Sequence, residues 1–134
     1  MIRAYFDSSA IFKLAKAEKE SQALIDYLDD VSVEVSTSIL AEVEVIRNLR
    51  LYGFEGNDAL AGFYLVAPDE EVRRTAIELA NRKVKALDAI HIATALAIGD
   101  RDLQFITYDD LQANAARQAG LKDLQPSLPG SLGL

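Results

Sequence analysis

The chain has no cysteine and a single histidine, His91. Without thiols there is neither a disulfide framework nor a thiolate zinc site. With one imidazole, His-rich zinc sites are excluded, and a Ser-His-Asp triad would have to use His91. Any bound metal must therefore be held by oxygen. Positive charge is scarce too, 14 basic residues against 21 acidic ones, for a formal charge of -7. That excludes a broad basic surface for gripping nucleic acid. An acidic cleft can still meet phosphate through divalent cations. No apolar run approaches membrane-spanning length, and Asp7 and Lys13 interrupt the only N-terminal apolar stretch. Neither a membrane span nor a signal peptide is expected, and the reading is a cytoplasmic protein.

What remains is one domain of ordinary size, long enough at 134 residues to bury a core without staples. Residues 1–125 form it, and residues 126–134, with two Pro and two Gly, read as a C-terminal tail. The chain opens on a short apolar run, Ile2, Ala4, Tyr5 and Phe6, too brief for a helix. It ends at Asp7, where helical periodicity takes over through Ala10, Ile11 and Leu14. Helices are expected over 8–17 and 21–29, then a strand over 31–35 from its β-branched alternation. Ser36, Thr37 and Ser38 offer caps for a helix running to about Arg50 and closed near Gly53. A short helix over 57–64, a strand over 64–67 and a helix over 69–82 follow, then the apolar segment 87–99, which describes a helix inside the domain. A strand over 103–107, a helix over 111–119 closed by Gly120, and a last short strand at Leu124 complete the order. Strands separated by helices pair in parallel through right-handed crossovers, so the expected class is α/β.

Four carboxylates stand near helix starts in this scheme. Asp7 lies where strand gives way to helix, the ligand crevice of open α/β sheets, although aspartate is also a preferred N-cap. Glu42 falls three residues after Ile39, three before Val45 and four before Ile46, on the apolar stripe of its helix. No capping box explains it, because position 39 is Ile. Glu44, turned about 200° away on a regular pitch, falls with the solvated residues. Asp88 opens the buried helix, where an unpaired acid is expensive. Asp109, three residues before Gln112, fits a relaxed capping box, and Asp110 reads as first-turn charge. His91, one turn beyond Asp88, reads as a satisfied core residue. Arg47, Arg50, Lys83 and Lys85 are candidates for phosphate contacts, with ordinary surface charge as the simpler account. If the sheet is parallel, the four acids gather at one edge and repel, so a cation must sit among them. Hard Mg²⁺ or Mn²⁺ suits an all-oxygen site.

Tyr5-Phe6-Asp7-Ser8-Ser9-Ala10, Leu40-Ala41-Glu42, Leu87-Asp88-Ala89-Ile90-His91-Ile92-Ala93-Thr94-Ala95 and Ile106-Thr107-Tyr108-Asp109 together resemble the PIN-domain family, and within it the VapC-like ribonuclease toxins. The resemblance spans nearly the whole chain. It implies a three-layer α/β/α sandwich over a central parallel sheet and Mg²⁺- or Mn²⁺-dependent endonucleolytic cleavage of RNA. Asp7, Glu42, Asp88 and Asp109 match the family's acidic quartet, as metal ligands and catalytic groups. Ser9 and Thr107 match its supporting hydroxyls. The implied partners are an RNA substrate, a cognate antitoxin and a second copy in a homodimer. Asp110, where relatives often carry a basic residue, is a local departure.

Two other readings use the same acids. A phosphoryl-accepting receiver domain wants an acidic pair after the first strand, where Ser8 and Ser9 stand, and a Lys after the last. A PIN-like module used only for binding would keep the acids as helix caps.

Overall fold

The computed structural model describes residues 2–30 and 32–127. Five strands, β1 (Ile2–Phe6), β2 (Val33–Ser38), β3 (Tyr64–Val66), β4 (Gln104–Ile106) and β5 (Lys122–Leu124), form one sheet in the order β3-β2-β1-β4-β5. Every pairing is parallel. Helices α1 (Ser8–Ala15), α2 (Ser21–Asp30), α3 (Ile39–Leu51), α4 (Glu70–Glu78), α5 (Ala86–Ile98) and α6 (Asp110–Gln118) cover its two faces. This is the expected α/β/α sandwich.

Strand alternation divides the core. Ala4 and Phe6 of β1 and Ile106 of β4 face Ala10 and Ile11 of α1, Leu24 of α2, and Ala41, Val45 and Leu49 of α3. Tyr5 and Phe105 point to the opposite face, against Ile92 and Ala95 of α5 and Ala115 and Ala116 of α6. Both clusters are closed to water, so each central strand is buried on both sides, as parallel sheets require. α4 packs outside, on α5.

Three expectations change. The second strand runs to Ser38, because its hydroxyl residues find partners inside the sheet: Thr37 donates to the Phe6 carbonyl at 2.7 Å and Ser36 to that of Ala4 at 3.5 Å. Only Ser38 caps α3, accepting from the Leu40 amide. Val31, where that strand was expected to begin, lies outside the described residues, as do residues 128–134 of the tail. The helix expected over 57–64 does not form. Its amides bond three residues back, from Ala59 to Gly56, Ala61 to Asp58 and Phe63 to Leu60, and Gly56 and Gly62 take positive φ. Finally α4 stops at Glu78, because Leu79 turns extended and packs against the second cluster.

The strand order reverses between β1 and β4, which opens a crevice at their carboxyl ends. Phe6 pairs with Ile106 in the register, so the residues that follow each, Asp7 and Thr107, emerge side by side. Tyr5 and Phe105 stack beneath them with ring centroids 5.5 Å apart. Phe105→Ala should cost about 3–5 kcal/mol of stability from lost burial and the cavity left behind. Urea unfolding measures it, and a loss under 1 kcal/mol would mean that this stack does not hold the floor of the crevice.

Candidate active site

Asp7 is the N-cap of α1, 3% exposed, with its Oδ1 accepting from the Ala10 amide at 3.1 Å. Ser9 donates to the same oxygen at 2.6 Å, and Thr107 donates to Oδ2. Both hydroxyls are themselves positioned by the loop that follows β4. The Tyr108 amide donates to Ser9 at 2.8 Å and the Asp109 amide to Thr107 at 3.1 Å. Each hydroxyl has one proton and spends it on Asp7, so the β1 and β4 ends are laced together through a single carboxyl group. Three donors favour the ionised form, but burial outweighs them. The Asp7 carboxyl is pushed up to about 6, with the charge of Asp88 adding to the rise.

Asp88 is not the cap of α5. That place is held by Lys85, whose side chain makes no capping bond, and Asp88 is the acid of the first helical turn. Its carboxyl is raised by burial first, then by the charges of Asp109 and Glu44, while Lys85 pulls it down. The backbone there is fixed from α6, since buried Gln112 donates its side-chain amide to the Asp88 carbonyl at 3.1 Å. Asp109 caps α6 by accepting from the Gln112 amide at 3.1 Å. The reciprocal half of a capping box is not made, because the Gln112 side chain has gone to Asp88. Asp109 and Asp110 are both exposed.

The α3 acid whose charge acts on Asp88 is Glu44. Glu42 lies on the other flank of the helix, in a groove with Val43, Ile46, Arg47, Arg50 and Leu51. The reason is the true position of the buried stripe. It runs Ala41, Val45, Leu49, whereas Ile39 is 38% exposed. The two glutamates stand on opposite sides of that stripe, and it is the charge of Glu44 that acts on Asp88. Small Ala41, four residues before Val45 and eight before Leu49, was the signal in the sequence.

His91 is 1% exposed, with Nδ1 2.6 Å from the Tyr5 hydroxyl and Nε2 3.2 Å from that of Ser8. No carboxylate touches either ring nitrogen, so a Ser-His-Asp triad is not assembled. Burial lowers its pKa to about 4, which keeps the ring neutral. Of the basic candidates, Arg50 is engaged by the Glu55 carbonyl and Asn57.

Asp7, Glu44, Asp88 and Asp109 make no ion pair among the described residues. Nor, among those residues, do three acidic or histidine side chains converge closely enough to ligate one ion. The donor chemistry is nonetheless all oxygen, strongly anionic and partly desolvated, which suits a hard divalent cation. No described helix is long and apolar enough to cross a membrane.

Residues 4–118 match the family model of the PIN domain. Ribonuclease VapC46 of Mycobacterium tuberculosis is 41% identical over 131 residues, covering 95% of this chain and 100% of the relative. Among solved structures, VapBC2 from Rickettsia felis bound to a promoter DNA fragment superposes with a TM-score of 0.73 at 9% identity, over 94% of this chain and 100% of the other. VapC20 of M. tuberculosis, a sarcin-ricin loop cleaving toxin, gives 0.69 at 14% identity, over 92% and 99%. The fold, the carboxylates at its switch point and a relative this similar over nearly its whole length agree: the chain belongs to the PIN domain family.

Proposed function

We propose that this chain is a divalent-metal-dependent endoribonuclease acting as the toxin of a toxin-antitoxin pair. Relatives that carry the name ribonuclease VapC support the activity. Structural neighbours solved as toxin-antitoxin complexes support the partner. The observation that carries the reading is Asp7, a buried carboxyl with no cationic partner among the described residues, set where two strand ends meet and repelled by Asp88. Such a group is costly to keep ionised unless a cation joins it. An RNA substrate places the site of action in the cytoplasm, which suits a chain without cysteine.

Asp7 and Asp88 are the proposed direct ligands of Mg²⁺ or Mn²⁺, with Asp109 as ligand or water-mediated support. Glu44 replaces Glu42 as the fourth acid. When bound, the ion lowers the pKa of a water and offsets charge on the phosphate. The protein's share is orientation. Ser9 and Thr107 hold the Asp7 carboxyl in one rotamer, and Gln112 fixes the backbone from which Asp88 projects. Glu44 would serve as a further ligand or as the base that takes the proton from the attacking water.

Glu42 belongs to a different contact. The α3 groove has an acid towards its start, Glu42, two bases towards its end, Arg47 and Arg50, and Val43, Ile46 and Leu51 between and beside them. An antiparallel copy of the same helix, with Ile46 at the two-fold axis, sets Glu42 of each chain against Arg50 of the other. That self-complementarity is what a two-fold interface needs, and it is the homodimer surface we propose.

Asp7→Asn and Asp88→Asn should each abolish Mn²⁺-dependent RNA cleavage by the folded protein, and Glu44→Gln should cut it by at least about 10²-fold, the scale of one lost acid-base group. Glu42→Gln should leave the rate per folded molecule within about twofold; the opposite ranking of Glu44 and Glu42 would return the quartet to Glu42. Asp7→Asn should also raise the Tm at pH 7. With the folded carboxyl near 6 and its ordinary value at 3.8, the ionised side chain costs stability that grows from about pH 4 to pH 6 and stays constant above. The gain is at most about 3 kcal/mol, since Asn loses one hydroxyl bond, and it should vanish below pH 4. Sedimentation tests the interface: Glu42→Arg or Arg50→Glu alone should dissociate the dimer and the double exchange should restore it, whereas dimers indifferent to both exclude this surface.

A further inference from the structure

The proposed chemistry leaves the fully buried His91 without a role. His91 sits one turn after Asp88 on α5 and is 1% exposed. Both its ring nitrogens are used, Nδ1 by the Tyr5 hydroxyl at 2.6 Å and Nε2 by the Ser8 hydroxyl at 3.2 Å. Those partners bracket Asp7 in sequence, Tyr5 two residues before it and Ser8 one after. A neutral imidazole has one donor and one acceptor, so the Tyr5 hydroxyl donating to Nδ1 leaves Nε2–H to donate to Ser8. Tyr5 has nowhere to move, being stacked on Phe105 and edge-on to His91 with centroids 5.7 Å apart. Ser8 is 7% exposed and faces the imidazole.

We infer that His91 is a positioning residue, a bolt between α5 and the β1-to-α1 turn that sets Asp88 at a fixed distance from Asp7. The bolt answers a specific force. Asp7 and Asp88 repel, and apolar packing of α5 on Tyr5 and Phe105 holds the helix to the sheet without fixing the spacing of the two carboxylates, which the directional bonds of His91 to Tyr5 and Ser8 do. Gln112 restrains Asp88 from the α6 side, and His91 supplies the restraint towards Asp7. An aliphatic residue of similar size would fill the volume and leave the spacing to repulsion. The inference rests on the proposed metal-dependent activity, because the spacing matters to an ion shared by the two carboxylates.

The test uses the full chain and four variants, His91→Ala, His91→Gln, Tyr5→Phe and Ser8→Ala, with the last two removing one bond each while keeping the packing. Calorimetric titration with Mn²⁺ should show affinity reduced about tenfold in His91→Ala, the scale of losing an outer partner of a metal ligand. Tyr5→Phe and Ser8→Ala should each reduce it several-fold and add nothing further in the His91→Ala background, because all three cut the same tether. His91→Gln, able to bridge at one end, should recover part of the loss. Crystals of metal-free wild type and of the two single-bond variants supply a readout that needs no ion. The Asp7 to Asp88 separation should widen in the variants. Variants that lower the Tm but leave both the isotherm and that separation unchanged would make His91 an ordinary core residue and overturn the inference. A wild-type chain that binds no Mn²⁺ would sink the nuclease reading by itself, and the separation measured in the crystals would still decide the bolt.

Discussion

The structure depends on a carboxyl group kept out of water at the junction of two strands. Asp7 closes β1, caps α1 and accepts protons from hydroxyls on both sides of the crevice. The bond from Thr107 to Asp7 joins the β4 end to the β1 end, and Ser9 adds to the link by accepting from the Tyr108 amide and lying 3.3 Å from the Thr107 hydroxyl. The same interaction makes the group reactive. Three donors hold it still, while burial raises its proton affinity so far that the pKa approaches the physiological range. A site that stores this much unfavourable charge is poised to gain when a cation arrives.

Capping and the proposed chemistry need not exclude each other when an aspartate begins a helix. A carboxylate has about four acceptor positions, and an N-cap uses one. Asp109 gives one oxygen to the Gln112 amide and keeps the rest for the crevice, and Asp7 caps α1 while standing at the centre of the hydroxyl lacework. The capping bond fixes the rotamer, which is what a ligand needs. The negative formal charge of the chain is consistent with the proposed metal-dependent chemistry, in which an ion rather than a basic surface would complement the anionic cleft.

α3 shows where helical periodicity stops being informative. Glu42 and Glu44 both flank a buried stripe, and spacing alone cannot say which flank abuts another helix. The Ile39 and Ile46 positions made Glu42 look core-facing, because large apolar residues dominate such counts. In the folded chain the stripe centres on Ala41, Val45 and Leu49, and it is Glu44 whose charge reaches Asp88. Glu42 joins the outer groove instead, beside arginines that give that face its alternating charge.

By itself the chain of residues determined the class, most of the element order and the placing of Asp7, Asp88 and Asp109 at or near helix starts, because strand runs, helix periods and caps are local properties. Tertiary structure decided the rest. The end of β2 moved to Ser38 since hydroxyls are admitted to a buried strand once a neighbouring strand offers carbonyls, and no local rule reports that neighbour. The 57–64 segment stayed in turns where glycines took positive φ. His91 became a bracket around Asp7 only when α5 was laid across Tyr5 and Ser8, residues more than 80 positions away in the chain. Which glutamate of α3 acts on Asp88 through its charge was settled in the same way, by the placing of that helix relative to α5, a relation that exists in space and has no counterpart in sequence spacing.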